Sequence, residues 1–405
     1  MTNVKLFIIY LLAALPLAVL GQVKLPYHQG DDWMKVVSRG GLLRHGDYFI
    51  KNNDGVSEFV SFDFVNGVGV GPKATFGKVL KDYSRIEIDE DVKWAEARQR
   101  LMAKGVIRYM MPPQYFGFLE VYGGQFTNDF DRYPPSSMIQ QSLLCSVFGS
   151  TRHKLYEQTA AGIRLYGALS ADVQLNVLVG WEKRRQLELH QFGYLFGTID
   201  DTNVPYVHKK PFEGFATDQV VRFDAQIDYM PGRKIMLSDD MTATLQTEKP
   251  IFTLRQTSGI NGGIRFLSYE FSVAGSRKGR LKDSNILYKA SAGFYAINRK
   301  TLLMDMKSFN ASRSMIQFQR SHNFMVFSLL GPYELSTTRP WLEFHSEWNR
   351  KWLYAQVHGV KVTGSPAHEE LAAGVSYNNM YRLGMSAAFD DAKFRGISFN
   401  IMISL

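Results

Sequence analysis

Apolar and polar residues alternate strictly along the last segment of the chain. One side carries Ile397, Phe399, Ile401, Ile403 and Leu405, and the other carries Ser398, Asn400, Met402 and Ser404. A period of two residues is typical of a β-strand with one apolar and one polar face. In a soluble protein such a strand would be an aggregation-prone edge, whereas a closed barrel pairs its last strand with its first. We therefore predict that the apolar set marks the membrane-insertion strand of an outer-membrane barrel.

The same alternation recurs in many segments upstream. In the segment 173–182 the residues Val173, Leu175, Val177, Val179 and Trp181 share one face, and the segments 221–229 and 267–273 repeat the pattern. These patterns predict an all-β fold, a transmembrane antiparallel β-barrel of about 16 strands, with roughly 14–18 as the range. The other candidate strands are 75–80, 84–94, 101–111, 115–128, 163–170, 249–256, 286–297, 323–330, 339–349, 351–361, 369–379 and 381–388.

Irregular segments separate the candidate strands. The run of alternating glycines at 67–72 is followed by strand pattern rather than by a helix, so it predicts a kink or tight bend and not a phosphate-binding loop. A short helix is favoured at 136–148. The connections 129–153, 185–217 and 299–322 are long, and the strand count places them at the same end as the chain termini. A missed strand at 187–196 would move them to the opposite end.

The N-terminus has the features of an export signal. Lys5 precedes an apolar stretch at 6–20, and a small-residue cleavage site ends at Gly21. We expect a signal peptide at 1–21, a leader at 22–57 with a short strand at 48–51, and the barrel at 58–405. After the signal, no window approaches 18 uncharged apolar residues, so no transmembrane helix is predicted.

Composition and charge narrow the possible partners. Cys145 is the only cysteine among 405 residues, so an exported chain has no internal disulfide, and an apolar setting predicts a buried thiol. The net charge is +9, but basic and acidic residues are interspersed, which does not support nucleic-acid binding. We expect outer-membrane lipids and the barrel assembly machinery as partners, and leave a surface or periplasmic protein open.

The most distinctive polar cluster is Glu343, His345 and Glu347, which share one face of a predicted strand. Side chains two residues apart on a strand lie about 6.6–7 Å apart, so one metal ion cannot bind all three without a neighbouring strand. We therefore predict a lumen-facing network paired with Arg382 or Lys361. We expect no catalytic residue, metal or cofactor, because no catalytic motif is present and His345 and Ser346 point to opposite faces.

Six aromatic residues lie near the ends or middles of predicted strands. They are Trp181, Tyr229, Trp341, Trp348, Trp352 and Tyr354. Aromatic girdles at the lipid interface are typical of outer-membrane barrels, and we predict this role for them. A track that stacks against sugars would give the same pattern.

Three segments have a distinctive sequence, namely SFNASRS at 308–314, FSLLGPYELSTTRPWLEFHSEW at 327–348 and KPIFTL at 249–254. They resemble an outer-membrane family of unknown function from Bacteroidota. The family pattern is matched by Ser336, Thr337, Glu343, His345 and Glu347, with Trp341 in place of Phe. The stretch 370–385 is similar to the penultimate strands of the family. The resemblance implies a C-terminal outer-membrane barrel and no known activity.

The chain departs from the family pattern at two places. Members typically carry a carboxypeptidase-regulatory-like domain before the barrel, and here we expect that domain to be absent because strand pattern begins soon after the signal. The family's His-Phe-Asn-Gly continuation is replaced by Trp348-Asn349-Arg350-Lys351, which predicts a shortened turn. The expected function is non-enzymatic, either a pore or an anchor and assembly partner for surface components. A barrel-embedded enzyme using lumen carboxylates and a secreted β-rich adhesin remain as alternatives.

Overall fold

The computed structural model describes most of the chain from residue 41 to residue 404. The described ranges are 41–52, 60–112, 115–131, 138–149, 153–199, 202–237, 243–246, 249–279, 281, 283–309, 311, 316–319, 327–377 and 381–404. The expected signal peptide and the terminal Leu405 lie outside these ranges, so both predictions stay predictions.

The described chain is nearly all β-structure. The strands are β1 Gly41–His45, β2 Tyr48–Asn52, β3 Val60–Asp63, β4 Gly67–Val70, β5 Lys73–Val79, β6 Arg85–Ala95, β7 Arg100–Met110, β8 Phe118–Asp129, β9 Leu155–Ala168, β10 Val173–Gln186, β11 Gly193–Tyr194, β12 Gly197–Thr198, β13 Tyr206–Val207, β14 Lys210–Pro211, β15 Thr217–Tyr229, β16 Lys234–Leu237, β17 Ala243–Gln246, β18 Ile251–Ile260, β19 Ile264–Lys278, β20 Ser284–Asn298, β21 Ile316–Gln319, β22 Trp341–Arg350, β23 Leu353–Val362, β24 Ala367–Tyr377, β25 Tyr381–Asp390 and β26 Lys393–Ser404. A helix, α1 Met138–Phe148, and a 3-10 turn, Leu303–Asp305, interrupt them. Within the described ranges, no helix is long and apolar enough to cross a membrane.

Twenty of these strands form one sheet. Sixteen of them make an antiparallel series from β2 through β5–β10, β15, β18–β20 and β22–β25 to β26, which agrees with the predicted barrel of about 16 strands. The other four are β1, the β3–β4 hairpin and β21. Because β2 belongs to the wall, the wall begins before residue 58, where the sequence placed its start.

The two faces of the wall have opposite polarity. On β10, Val179 and Trp181 are exposed, while the alternate residues Gln174, Glu182 and Arg184 are buried. The same inversion holds on β22 to β26, where leucine, valine and phenylalanine side chains face out. A soluble sheet would bury its apolar face, so this polarity is that of a barrel with an apolar exterior and a polar interior.

The glycine run lies in one continuous strand of the wall. β4 and β5 flank Gly71 and Pro72, and both pair with β6 in one unbroken register, with Val70 opposite Trp94 and Lys73 opposite Asp91. A Cβ atom on Gly71 would lie 1.8 Å from the Val92 carbonyl oxygen, so only glycine allows this close approach. The strand expected after the glycines is β5, and the kink expected at the glycines stays a prediction.

The last strand has a different neighbour from the one expected. β26 pairs with β25 on one side, and its Ile401–Ser404 portion pairs in parallel with β21, with Ile316 opposite Ile401. In the part of the chain that the structure describes, β26 does not pair with β1 or β2. The expectation that the last strand pairs with the first is therefore not met by these residues.

Three long connections emerge from one end of the barrel. The first connection spans 130–154 and contains α1, the second spans 187–216, and the third spans 299–340. The strand order places them at the end opposite to the C-terminus of β26, which is the second of the two placements that the sequence left open. Residues 187–196 supply only β11. Of the strand predicted at 323–330, residues 323–326 lie outside the described ranges, and the rest is an isolated bridge at Phe327 followed by bends at 328–330. The short helix predicted at 136–148 is confirmed as α1.

The connections pack on one another through two hydrophobic clusters. Phe62, Phe64 and Cys145 join the β3–β4 hairpin and α1, and Leu189, Tyr194, Leu195 and Ile199 of the second connection pack on them. Phe130, Tyr156, Leu303, Met304 and Tyr333 form the other cluster, against Val207, Phe212 and Phe215. This end of the barrel, which we call the capped end, therefore has a core of its own. Burial raises the pKa of the Cys145 thiol, which keeps it in the unreactive thiol form.

Candidate functional site

The three predicted cluster residues lie together on the inner face of β22. Glu343, His345 and Glu347 are 4%, 1% and 0% exposed, while the neighbouring Leu342 and Phe344 face outward. The alternation of a strand produces this split, because successive side chains point to opposite faces. The cluster is therefore sealed inside the barrel, and each polar group needs a partner there.

Glu343 joins a chain of polar contacts to the third connection. Its Oε2 accepts a hydrogen bond from Ser291 Oγ at 3.0 Å and lies 3.5 Å from Lys307 Nζ. Lys307 Nζ also lies 3.1 Å from Glu270 Oε1 and 4.1 Å from the centre of the Trp341 ring. Burial disfavours the Lys307 ammonium, but the carboxylates of Glu343 and Glu270 outweigh it and raise the pKa of Lys307.

Two buried histidines continue this chain across β22 and β23. His345 Nε2 lies 2.9 Å from Glu343 Oε1, and His345 Nδ1 lies 2.7 Å from His358 Nδ1. Neutral rings satisfy both contacts when His345 Nε2–H donates to Glu343 and His358 Nδ1–H donates to His345. The contacts orient both rings without requiring a metal ion.

Glu347 is neutralised by Arg382 across two intervening strands. Arg382 Nη1 and Nη2 donate to the two carboxylate oxygens of Glu347 at 2.8 and 2.9 Å. Gln356 Nε2 donates to the same carboxylate at 2.7 Å. The pairing proposed with Arg382 is present, but Lys361 does not contribute, because its exposed side chain lies near the end of β23, with Nζ 3.6 Å from Asp391 Oδ1.

The third connection inserts one aromatic ring among three histidines of the inner wall. The Phe327 ring is fully buried, and its centre lies 5.2 Å from the His345 ring, 5.8 Å from His358 and 5.6 Å from His368. Phe327 also packs in a cluster with Leu330, Phe309 and Trp341. We call these three histidines and Phe327 the histidine seat.

A carboxylate beside the histidine seat binds the backbone that follows Phe327. Glu370 accepts hydrogen bonds from the N–H groups of Ser328, Leu329 and Leu330 at 2.6, 2.8 and 3.1 Å. His368 Nε2 lies 3.0 Å from Glu370 and its Nδ1 lies 2.7 Å from Asp390. A buried carboxylate with several N–H donors is fully satisfied, so Glu370 fixes this turn of the connection to β24.

The beginning of the third connection is held by arginines of β10 and β15. Arg184 on β10 donates from Nη1 to Asp305 Oδ2 at 2.5 Å and from Nη2 to Asp305 Oδ1 at 3.0 Å. Arg222 Nη1 lies 3.6 Å from the same carboxylate. Arg184 also pairs with Glu182, and Tyr295 Oη donates to the Asp305 carbonyl at 2.6 Å.

The end of the third connection is held at the capped end. Tyr333 Oη donates to Asp129 and accepts a hydrogen bond from the Lys154 N–H at 3.0 Å. Burial and the nearby Asp129 carboxylate raise the pKa of Tyr333, so its hydroxyl stays protonated and can donate. The third connection is thus fixed at Asp305, Lys307, Phe327 and Tyr333 to widely separated parts of the molecule.

The predicted cluster is held in place by hydrogen bonds and ion pairs to neighbouring side chains. Every polar group of the predicted cluster has a hydrogen-bonding partner, and the described residues contain no group of three His, Cys, Asp or Glu placed to bind a metal ion. The sequence did not single out Lys307, Phe327, Glu370, Asp305 or Arg184. The family resemblance included Phe327 in its second segment and Glu370 at the start of the stretch 370–385, but it gave neither residue a role.

The predicted insertion strand and aromatic girdle are placed as follows. On β26, Ile397, Phe399 and Ile401 are exposed on the outer face, whereas the side chains of Ile403 and Leu405 lie outside the described residues. Trp181, Tyr229 and Trp352 face outward, as a girdle requires, and Trp348 is half-buried. Trp341 and Tyr354 are buried in the interior, so the girdle role predicted for these two was wrong.

The fold and its interior define the class of the protein, a β-barrel with an apolar exterior and a polar interior that holds a long connection. The chain belongs to a family of unknown function (DUF5686), because the model of that family's C-terminal domain matches residues 45–378. A comparison with curated proteins found no relative.

Two solved structures are similar to the chain at 10% sequence identity. BamA from Haemophilus ducreyi lacking POTRA domains 1–3 has a TM-score of 0.46, and the match covers 89% of this chain and 69% of that chain. CdiB from Acinetobacter baumannii has a TM-score of 0.40, with coverage of 84% and 58%.

Proposed function

We propose that the protein is an integral outer-membrane β-barrel, filled by its third connection, that serves as an anchor or assembly partner for surface components and has no enzymatic activity. The apolar exterior of the wall supports the membrane location, because lipid is the solvent in which such a face is stable. Barrels of this kind are typical of the bacterial outer membrane.

We prefer an anchor to an open pore because of the way in which the third connection is attached to the wall. Asp305 is bound to Arg184 on β10, and Phe327 is bound on β22–β24, so this connection crosses the interior between distant strands. Interior charges are paired with one another, as Glu347 is with Arg382, rather than facing a water-filled channel. A pore would instead leave a polar lumen open to water.

The capped end supplies a surface for a partner. Phe148, Phe192, Phe196 and Tyr206 are exposed there, and Phe196 has 73% of its surface accessible. Exposed aromatic side chains on an ordered surface away from the lipid-facing wall are typical of protein interaction sites. Packing between the connections holds these aromatics on a rigid support.

Conductance in planar bilayers tests the filled interior. The wild-type protein is expected to give no stable conductance steps, whereas a Phe327→Ala/Asp305→Asn variant, which loosens the third connection, is expected to give them. A Leu371→Ala/Leu383→Ala variant changes two outward side chains and serves as the matched control, expected to be silent. Stable steps from the wild-type protein would overturn the anchor in favour of a pore.

Membrane extraction tests the location separately. The protein is expected to stay in the membrane fraction during carbonate washing and to leave it only in detergent. Release by carbonate would contradict the membrane location and favour the secreted adhesin.

A further inference from the structure

A group of basic side chains lies at the end of the barrel opposite to the capped end. They come from the β15–β18 connection and from the β19–β20 and β22–β23 turns, and we call them the basic rim: Arg233, Lys234, Arg277, Lys278, Arg350 and Lys351. Lys234, Arg277, Lys278 and Lys351 are exposed, and Arg233 and Arg350 are half-buried. None of the six belongs to the interior network described above.

The basic rim is continuous because its strands are neighbours in the sheet. β15, β18, β19, β20, β22 and β23 follow one another, and the register places Ser284 of β20 opposite Arg350 of β22. Five strand spacings of about 4.8 Å give an arc of about 24 Å. An arc of this width spans several lipid headgroups.

The basic rim differs from the interior in how its charges are compensated. Interior cations such as Arg184, Arg222 and Arg382 each lie within 4.0 Å of a carboxylate. Among the described residues, no carboxylate lies within that distance of a rim cation. Asp172 accepts a hydrogen bond from the Gly232 N–H instead, and Arg233 donates to the Ser170 carbonyl.

Exposed aromatic side chains accompany the basic rim. Tyr229 stacks with Phe252 where β15 and β18 meet this end, and Trp352 follows Lys351 directly at the tip of the β22–β23 turn. Tyr377 and Tyr381 are exposed at the end of β24 and the start of β25. Where β15 and β18 meet this end, the order is thus the apolar Ile227 and Leu254, then the rings of Tyr229 and Phe252, then the cations Arg233 and Lys234. This is the order in which hydrocarbon, interface and phosphate layers occur in a bilayer leaflet.

We propose that the basic rim binds the headgroups of anionic phospholipids in the leaflet at the C-terminal end of the barrel. The aromatic rings set the depth at which the cations meet the lipid phosphates, and uncompensated cations favour anionic over zwitterionic lipid. This inference rests on the proposed membrane location.

Lipid retention by the full-length protein tests the proposal. The protein is purified from mixed micelles with equal amounts of phosphatidylglycerol and phosphatidylcholine, and the retained lipids are quantified by mass spectrometry. The test variant is Arg277→Gln/Lys278→Gln/Arg350→Gln/Lys351→Gln. The matched control is Lys183→Gln/Lys209→Gln/Lys210→Gln/Lys393→Gln, which removes the same charge from the capped end of the barrel.

The wild-type protein and the control are expected to retain phosphatidylglycerol over phosphatidylcholine by roughly fivefold or more, as expected for several cations near an anionic headgroup layer. The test variant is expected to bring the ratio close to one, and 0.5 M NaCl is expected to lower the wild-type ratio by screening. An equal ratio in the wild-type protein, or an equal loss in both variants, would overturn the proposal. A detergent-dependent protein without lipid preference rejects the basic rim alone, whereas release by carbonate rejects the membrane location.

Discussion

Arg184 and Asp305 form a two-point ion pair inside the barrel although 121 residues separate them in the chain. Arg184 belongs to the wall and Asp305 to the third connection, so the pair fixes the connection to a strand that is not its neighbour in sequence. Both side chains are buried, and Arg222 shares the carboxylate. The cost of desolvating these charges is offset only while all partners remain in place.

Replacing Asp305 is therefore expected to destabilise the barrel strongly. Asp305→Asn leaves Arg184 and Arg222 short of a counter-charge, and losing one partner of a buried pair costs about 3–5 kcal/mol. Urea unfolding in detergent, followed by the change in gel mobility between folded and unfolded barrel, measures the loss. Lys361→Gln breaks an exposed pair with Asp391 and is expected to leave the free energy of unfolding essentially unchanged. Similar losses for the two variants would contradict the anchoring role of Asp305.

Glu347 and Arg382 allow a sharper test, because the two can be removed together. Arg382→Met leaves the Glu347 carboxylate buried with only amide donors, and is expected to cost about 3–5 kcal/mol. Arg382→Met/Glu347→Gln removes both charges, and is expected to cost less than the single change. The same urea titration compares the two. If the double variant is as unstable as the sum of its single changes, the charges do not depend on each other.

A backbone contact gives a prediction that does not involve charge. Gly71→Ala places a Cβ atom 1.8 Å from the Val92 carbonyl oxygen, so the segment between β4 and β5 cannot stay in its place against β6. We expect the yield of folded barrel to fall severely. Gly359→Ala is the matched control, because its nearest atom, Phe344 Cδ1, would lie at an ordinary 3.7 Å. Normal folding of both variants would show that the wall can move to accommodate the methyl group.

The outer face could be predicted from the sequence because its signal is local. Every strand alternates by itself, so Val179, Leu342 or Phe399 can be assigned to one face without knowledge of any other strand. The number of strands follows from the same pattern. The end of the barrel at which each connection lies could not be predicted in this way. A strand count that is wrong by one places every later connection at the opposite end.

The interior could be predicted only in part because its contacts join distant strands. The sequence predicted that a basic residue pairs with Glu347, but it could not choose between Arg382 and Lys361. Only the structure shows that Arg382 lies in the interior and binds Glu347. Phe327 lies in an apolar run that resembles a strand, and only the surrounding histidines show that it is bound in the interior. The pairing of β21 with β26 could not be predicted either, because nothing in the sequence of Ile316–Gln319 indicates a parallel partner.

Tyr333 gives the barrel a dependence on alkaline pH. Its pKa is raised in the folded state by burial and by Asp129, whereas an unfolded tyrosine ionises near pH 10. Below about pH 10 the contribution of Tyr333 is intact, because the hydroxyl is protonated in both states. Above that pH the unfolded state releases a proton that the folded state keeps, so stability falls as pH rises.

The contribution of the Tyr333 hydroxyl to stability can be measured by comparing the wild-type protein with Tyr333→Phe. Tyr333→Phe is expected to be less stable than the wild-type protein at pH 8, since it lacks the hydroxyl that contacts Asp129 and Lys154. Between pH 9 and about pH 11.5 the wild-type protein is expected to lose more stability than Tyr333→Phe. Other tyrosines and lysines titrate equally in both, so their effects cancel in the difference. Parallel pH curves would show that Tyr333 ionises normally in the folded barrel.

Phe327 is expected to control access to the turn that Glu370 binds. A Ser328→Cys reporter in a Cys145→Ser background keeps the backbone N–H groups that Glu370 accepts, and its side chain is buried. Phe327→Ala leaves a cavity beside three histidines, which costs about 3–5 kcal/mol in a well-packed site and lets the turn open. Labelling of the reporter by a water-soluble maleimide is expected to be at least about tenfold faster in Phe327→Ala, because a 1.4 kcal/mol change in the opening equilibrium already gives that factor. The matched control is Phe399→Ala. It removes an aromatic ring from the outer face of β26 and is expected to leave the labelling rate unchanged.

Equal acceleration by both changes would mean that the reporter senses loosening of the whole barrel. No acceleration by Phe327→Ala would mean that Glu370 holds the turn without the ring.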